Sequence, residues 1–90
     1  MRQNKAMVTV LFFARIREQL GIDRLSLILP QEPMTVSRLK QHIVDIHNPD
    51  WSDILMADNV IKAVNQEVVD DNHSLKEGDE IAFFPPVTGG

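Results

Sequence analysis

Residues 35–49, TVSRLKQHIVDIHNP, decide the fold of this chain of 90 residues. Four apolar side chains recur here at steps of three, four and three positions, which places them in one stripe along a helix: Val36, Leu39, Ile43 and Ile46. Thr35 is suited to the N-cap, because its hydroxyl can accept a hydrogen bond from a free backbone N–H group. Asn48–Pro49 ends the helix, because the residue before proline is disfavoured in the helical region. Asp50 is then predicted to cap a further short turn that carries Trp51.

Strand patterns flank this helix on both sides. Before it, residues 7–13 and 24–29 are predicted strands, joined by a short helix over residues 14–20 that ends at Gly21. After it come short strands over residues 61–64 and 67–69 and a last strand over residues 80–84, which Pro85–Pro86 ends. This order predicts an α+β fold in which a mixed sheet carries one main helix across one face, the β-grasp arrangement.

The chain divides into a body and a tail. We expect a β-grasp domain over residues 1–84, in which residues 1–6 are a disordered extension and Met7 is an alternative start, and a flexible, extended tail over residues 85–90. The apolar run over residues 6–14 loosely resembles a short secretory signal, but Arg15, Arg17 and Glu18 stand where a small-residue cleavage site belongs. No run approaches the roughly 20 apolar residues of a membrane span. The sequence therefore predicts a cytoplasmic protein.

Composition argues against several classes of function. The formal net charge is −4 without a basic cluster, which disfavours nucleic acid and anionic membranes as partners. The chain has no cysteine, so disulfides, thiolate metal sites and a cysteine nucleophile are excluded. The histidines at 42, 47 and 73 lack the spacing of a metal site. We therefore expect no metal, no bound cofactor and no active site within the chain itself.

The sheet is predicted to have a face that the helix leaves free. Side chains alternate along a strand, and the polar residues Thr9 and Glu80 mark the outer face. Leu11, Phe13 and Phe84 then point outward, together with Ala82. Exposed apolar patches with aromatic anchors are typical of interfaces. The alternatives are that the amino-terminal extension or the Trp51 segment covers this face, or that the strand register differs by one residue.

The end of the chain is predicted to be its reactive group. Six residues from Pro85 to Gly90 extend at most about 20 Å, enough to enter the active site of another protein. Gly89 and Gly90 carry no side chains, so the tip fits a narrow channel. The terminal carboxylate is ionised at neutral pH and is a poor acyl acceptor until it is activated. Adenylation by ATP followed by attack of sulfide would convert it to a thiocarboxylate.

Four stretches resemble the small subunits of molybdopterin synthase, which are ubiquitin-like sulfur carriers with the β-grasp fold. They are EIAFFPPVTGG at residues 80–90, VLFFARIRE at residues 10–18, AVNQ at residues 63–66 and GDE at residues 78–80. The resemblance runs from about Met7 to Gly90, and its ending is the most specific part. The departure from the family pattern is the extension before Met7.

The resemblance implies a function for the tail. Gly90 would be adenylated by an adenylyltransferase related to ubiquitin-activating enzymes, which uses ATP, and converted to a thiocarboxylate. The tail would insert into the large synthase subunit, in a heterotetramer, and donate sulfur to cyclic pyranopterin monophosphate during molybdenum cofactor biosynthesis. The residues implied to contact partners, in addition to Gly89 and Gly90, are Leu11, Phe13, Val68, Phe84, Pro85, Pro86, Val87 and Thr88.

Three other functions share part of this pattern. A thiamine-pathway sulfur carrier has the same fold and the same Gly-Gly end, although Phe83–Phe84 and Pro85–Pro86 argue against it. A ubiquitin-like protein modifier would use the same activation. An interaction module with an inert tail needs only the body. The first two alternatives make Gly90 reactive, and the third does not.

Overall fold

The computed structural model describes residues 7–29 and 34–86, and its elements follow the predicted order. The strands are β1 (Met7–Phe12), β2 (Arg24–Ile28), β3 (Met34–Thr35), β4 (Ile61–Val64), β5 (Glu67–Val69), β6 (Ser74–Leu75) and β7 (Glu80–Phe84). The helices are α1 (Ala14–Leu20), α2 (Val36–Ile46) and α3 (Ser52–Leu55), and a 3-10 turn (Pro49–Trp51) precedes α3.

The first and last strands lie side by side at the centre of the sheet. The strand order is β2-β1-β7-β4-β5, with β1 and β7 parallel and the other neighbours antiparallel. The sheet is therefore mixed, and α2, the longest of the described helices, packs against it. The prediction of an α+β, β-grasp fold is confirmed.

Helix α2 buries one stripe, which contains three of the four predicted residues and differs from the prediction at its carboxyl-terminal end. Thr35 caps the helix as expected, because its Oγ1 accepts a hydrogen bond from the Arg38 N–H group at 3.2 Å. The buried residues of α2 are Val36, Leu39, Lys40, Ile43 and Val44. Ile46, predicted to belong to the stripe, is 51% exposed. Counted from Val36, the buried positions are i, i+3, i+4, i+7 and i+8, the spacing of one helix face, and positions 40 and 44 belong to it.

Two local predictions about turns had different outcomes. Gly21 ends α1 with φ 80°, in the left-handed conformation that favours glycine, as predicted. The cap of the turn after α2 is Asn48 rather than Asp50, because Asn48 Oδ1 accepts a hydrogen bond from the Asp50 N–H group at 2.9 Å. The pair β3–β6, two residues in each strand, was not predicted.

The core lies between the sheet and the helices. Its largest fully buried side chains are Phe12, Phe83, Leu39, Ile43, Leu55, Ile81, Val10 and Val36. Phe12 and Phe83 stack with their ring centroids 5.9 Å apart, and Trp51 meets Phe12 edge-on at 6.4 Å. Aromatic pairs in these geometries add about 0.5–1.5 kcal/mol to the contribution of burial. Neighbouring central strands are thus joined by side chains as well as by backbone hydrogen bonds.

Some predictions fall on residues that the structure does not describe. These are the extension over residues 1–6 and most of the tail, namely Val87, Thr88, Gly89 and Gly90. Within residues 7–29 and 34–86, no helix combines the length and the apolar character needed to cross a membrane.

Candidate partner-binding face and tail exit

The alternation of side chains along the central strands is the one that was predicted. Val8, Val10 and Phe12 of β1 point inward and are at most 2% exposed. The residues between them, with Phe13, point to the opposite side of the sheet and are partly exposed. In β7, Ile81 and Phe83 are fully buried, whereas Glu80, Ala82 and Phe84 are partly exposed. We call the opposite side the outer face.

Two of the three alternatives to a free outer face are ruled out, namely coverage by the Trp51 segment and a shifted strand register. Trp51 packs against Phe12, which points into the core, so the Trp51 segment lies on the helix side of the sheet. The register places Leu11 opposite Ala82, and this pairing keeps Phe13 and Phe84 on the outer face. The third alternative concerned residues 1–6, which lie outside the described residues.

Phe13 and Phe84 form a stacked pair on the outer face. Their ring centroids are 4.7 Å apart and their planes differ by 5°. The Phe13 N–H group donates a hydrogen bond to the Phe83 carbonyl at 3.1 Å, which holds the end of β1 beside β7. The two rings therefore form one continuous apolar surface at the end of the sheet where β7 leaves the body.

A shallow depression lies beside this stacked pair. Opposite residues on four adjacent strands form a transverse row across the outer face: Leu11, Ala82, Ala63 and Val68. The two alanines in the middle are small, and Val68 at one end is 75% exposed. Leu11, Phe13, Val68 and Phe84 all line the depression, together with the alanines and with Gln66 and Glu80. A protruding apolar side chain of a partner would fit between Leu11 and Val68.

The exit of the tail continues this apolar surface. Ala14, Ile61, Val68, Phe84, Pro85 and Pro86 line a second depression at the end of β7. Ala14 has φ 52°, a left-handed conformation that costs a residue other than glycine on the order of 1 kcal/mol. This conformation turns the chain sharply between β1 and α1. We call the two depressions and the stacked phenylalanines together the docking face.

The opposite end of β7 is held by a network around Asn65. Asn65 and Gln66 have φ 51° and 73°, which makes the β4–β5 connection a type I′ turn. Asn65 Nδ2 donates to Asp79 Oδ1 at 2.9 Å, and Asn65 Oδ1 accepts from the Glu80 N–H group at 3.0 Å. The Lys76 N–H group donates to the other oxygen of Asp79 at 2.9 Å. The network fixes the start of β7 and therefore the position of its end.

The environment of Asp79 lowers its pKa. Burial alone would raise this pKa, because it penalises the charged carboxylate. The hydrogen bonds from the Lys76 backbone and the Asn65 side chain, with the charge of Lys76, outweigh burial and hold the pKa of Asp79 below its ordinary value. Asp79 therefore stays ionised, which its role as acceptor of these hydrogen bonds requires.

A charged cluster lies on the helix side of the sheet, away from the docking face. Asp71 Oδ1 lies 3.0 Å from Lys40 Nζ of α2 and 3.2 Å from Lys62 Nζ of β4. Partial burial would raise the pKa of Asp71, but the two lysines outweigh burial and lower it. The cluster ties α2 to the sheet. It explains how a lysine can be buried in the apolar stripe of α2.

The structure brings together six of the predicted partner-binding residues. Leu11, Phe13, Val68, Phe84, Pro85 and Pro86 all line the docking face. Their contact with a partner stays a prediction, as do the roles of Val87, Thr88, Gly89 and Gly90. Ala14 and Ile61 also line this face but were not predicted to do so, and Ala63 had no predicted role. The parity of β4 relative to β7 could have placed Ile61 and Ala63 on this face.

In the part of the chain that the structure describes, no group of three or more acidic or histidine side chains could hold a metal ion.

Comparisons with known proteins agree with this architecture. The chain matches the ThiS family model over residues 10–90. It is 43% identical over 84 residues to the molybdopterin synthase sulfur carrier subunit of Escherichia coli K12, covering 93% of this chain and all of that protein. Two solved structures are also similar. The putative molybdopterin converting factor subunit 1 of Pyrococcus furiosus has a TM-score of 0.72 and 32% identity, over 91% of this chain and 99% of that one.

The second structure shows the fold alone. SAMP1 of Haloferax volcanii has a TM-score of 0.79 at 24% identity, over 93% of this chain and 99% of that one. The sequence comparisons, by contrast, extend over nearly the whole length at identities that show common family membership. The chain therefore belongs to the ThiS family, together with the molybdopterin synthase sulfur carrier subunits that it resembles.

Proposed function

We propose that this protein is the sulfur carrier of a molybdopterin synthase and that the carboxyl group of Gly90 carries the sulfur. The relatives named as sulfur carrier subunits of this synthase support the proposal, since one of them matches the chain from end to end of its own length. The docking face supports it from the structure, because it provides an apolar surface for binding a partner beside the start of the tail.

The observation that carries the proposal is that the docking face includes Pro85 and Pro86, the residues at which the tail begins. β7 ends at Phe84, whose ring is part of the docking face. The tail continues directly from Phe84 through Pro85 and Pro86. Gly90 follows Phe84 by six residues, a reach of at most about 20 Å. A partner that seats on the docking face can therefore have its active site within reach of Gly90.

The chemistry takes place on partner enzymes. An oxygen of the Gly90 carboxylate attacks the α-phosphate of ATP on an adenylyltransferase, which forms an acyl-adenylate and releases pyrophosphate. Sulfide then attacks the acyl carbon and displaces AMP, which leaves the thiocarboxylate. On the large subunit this sulfur is transferred to cyclic pyranopterin monophosphate, and the carboxylate is restored with an oxygen from water. A dithiolene needs two sulfur atoms, so two carriers are used for each pterin. This fits a heterotetramer with two copies of each subunit.

The carrier's own contribution is binding and presentation rather than catalysis. Ordering a free tail costs on the order of 1–2 kcal/mol for each residue. Pro85 and Pro86 reduce this cost, because proline restricts the unbound ensemble. The proposal includes ATP as a co-substrate of the activating enzyme and no cofactor bound to the carrier. We expect the reaction in the cytoplasm, where ATP is available for the activation.

The proposal is tested by mass and by transfer activity. Protein purified from cells that contain the cognate adenylyltransferase is expected to show the mass increase of one oxygen replaced by sulfur. Deleting Gly90, or adding one alanine after it, is expected to abolish this increase and the synthesis of molybdopterin with the large subunit, while the circular dichroism spectrum stays unchanged. Full sulfur transfer by the extended variant would refute the role of Gly90.

A complementation experiment separates the two sulfur pathways. The chain is expected to restore molybdopterin synthesis in a strain that lacks the synthase small subunit. Rescue of a thiamine-requiring strain instead would assign the protein to the other pathway. The deletion of Gly90 is the matched control in both strains.

A further inference from the structure

Glu80 places a carboxyl group at the rim of the docking face. Glu80 is the first residue of β7 and lies opposite Thr9 of β1 on the outer face. It is partly buried, and its side chain lines the same depression as Leu11, Ala82 and Phe84. The docking face is therefore apolar at the tail end and carries a negative charge about two residues along β7 from Ala82.

The carboxylate of Glu80 forms no bond that holds the fold within the described part of the chain. The backbone of Glu80 is bound on both sides by Asn65, whose Oδ1 accepts from the Glu80 N–H group and whose N–H group donates to the Glu80 carbonyl at 2.8 Å. Its side chain makes no hydrogen bond or ion pair with any residue in the ranges 7–29 and 34–86. The other carboxylates that are partly or fully buried in the described ranges, those of Asp71 and Asp79, are each paired with lysine.

Docking changes the surroundings of this charge. A partner that covers Leu11 and Phe84 also removes water from the Glu80 carboxylate, since all three line one depression. Removing water from a carboxylate without a partner opposes binding strongly, whereas a basic side chain in good geometry offsets this cost. Surfaces that place an apolar or acidic group at this position are therefore disfavoured, even if the rest of their apolar part fits.

We propose that Glu80 selects the partner by its charge: the surface that seats on the docking face places a lysine or arginine side chain against the Glu80 carboxylate. This inference rests on the proposed function, because it assumes that the large subunit covers the docking face. It adds the chemical character of the partner's surface, which is apolar opposite Phe13 and Phe84 and basic opposite Glu80.

The pairing also fixes the orientation of the complex. An apolar patch alone permits the partner to slide or rotate, because the hydrophobic effect is not directional. A charge pair at one end of the patch removes this freedom, as electrostatic complementarity commonly sets register and partner choice. With Glu80 paired, the end of β7 and the tail point to one place on the partner.

The test is Glu80→Gln, which removes the charge and keeps the size of the side chain. Its matched control is Glu67→Gln in β5, an exposed carboxylate on the other face of the sheet, opposite Val64. Binding to the large subunit of the same organism is measured by calorimetry at low and at physiological salt. Loss of a charged partner at a desolvated site is expected to weaken binding by about tenfold or more. Glu67→Gln is expected to bind within about twofold of the unmodified protein, as surface pairs contribute little.

A second expectation separates a charge pair from a loss of shape. Salt is expected to weaken binding of the unmodified protein more than binding of Glu80→Gln, because the pair is an electrostatic contribution. Glu80→Lys is expected to bind more weakly than Glu80→Gln, because it opposes like charges. Equal affinity and equal salt dependence of Glu80→Gln and the unmodified protein would overturn the proposal.

The failure of this inference is distinguishable from the failure of the proposed function. Phe84→Ala tests the docking face without touching the charge. If Phe84→Ala weakens binding and Glu80→Gln does not, the docking face stands and the charge selection is refuted. If neither variant weakens binding, the large subunit seats elsewhere and the docking face is refuted together with the charge selection. Thermal unfolding of each variant confirms that the fold is retained.

Discussion

Phe83 and Phe84 are consecutive phenylalanines whose side chains lie on opposite faces of β7. Replacing each of them with alanine in turn therefore separates the stability of the fold from the binding of a partner. Phe83 is fully buried and stacks on Phe12. Phe84 is partly exposed and stacks on Phe13. We predict that Phe83→Ala mainly lowers the free energy of unfolding and that Phe84→Ala mainly lowers the affinity for the large subunit.

The magnitudes follow from the surroundings of each ring. Truncating a fully buried phenylalanine leaves a cavity and costs about 3–5 kcal/mol of stability. Phe84 lies at the surface, where water fills the space that the ring leaves. Phe84→Ala therefore loses only the contribution of partial burial and of one aromatic stack, which together lower the free energy of unfolding by about 1–2 kcal/mol. On docking, the rest of the Phe84 ring is covered. A central aromatic anchor of this kind contributes about 2 kcal/mol or more to binding, which is roughly thirtyfold in Kd.

The assay compares two numbers for each variant. Urea unfolding gives the change in stability, and calorimetric titration with the large subunit gives the change in Kd. If Phe83→Ala proves too unstable to purify, Phe83→Leu retains most of the volume and takes its place. The reasoning is refuted if Phe84→Ala binds as tightly as the unmodified protein, or if it loses as much stability as Phe83→Ala.

Three further predictions concern stability. Thr35→Ala removes the N-cap of α2 and is expected to lower the free energy of unfolding in urea by about 1 kcal/mol. Val44→Ala is expected to cost about 2 kcal/mol, because Val44 is 5% exposed, whereas Ile46→Ala at 51% exposure is expected to stay within about 0.5 kcal/mol in the same assay. The pKa of Asp71 is lower in the folded than in the unfolded chain, so its contribution is complete above about pH 4 and is lost as the pH falls through the folded value. Urea unfolding between pH 3 and 7 is expected to show a shallower acid-side decline for Asp71→Asn, and an unchanged decline would contradict this.

Much of the fold was predictable from local patterns. The strand alternation marked by Thr9 and Glu80 gave the correct inner and outer faces of the central strands, because a period of two leaves only two choices for each strand. Turn and cap residues such as Gly21 and Thr35 also gave correct boundaries, because their preference is set by the backbone geometry that they occupy.

Two of the three errors share a cause, which is contact between residues distant in sequence. Lys40 can be buried in α2 because its ammonium group pairs with the carboxylate of Asp71, a residue that is distant in the chain. From the sequence alone, a lysine in a helix is expected to face solvent, so Lys40 was left out of the buried stripe. Ile46 was included in the stripe because it is apolar and has the right spacing. The β3–β6 pair consists of two residues in each strand, too short for any periodicity. Asn48 and Asp50 are both good caps, and only the backbone path decides between them.

The candidate site was also predictable in part: the sequence indicated which side chains lie on the outer face but not which of them are in contact. The outward direction of Phe13 and Phe84 follows from alternation, but their stacking at 4.7 Å depends on the parallel register of β1 and β7. Ile61 and Ala63 join the docking face only because β4 pairs with β7. Sequence patterns assign residues to faces, and strand order decides which of these residues meet.

The central position of β7 has a mechanical consequence. A partner that holds Gly90 while the body is drawn away pulls along the axis of β7. This strand is hydrogen-bonded on both sides, to β1 in parallel and to β4 in antiparallel orientation, and the Asn65 network anchors its far end. Tension along β7 therefore shears two ladders at once instead of opening one bond after another. The body resists unravelling from the end at which a partner grips it.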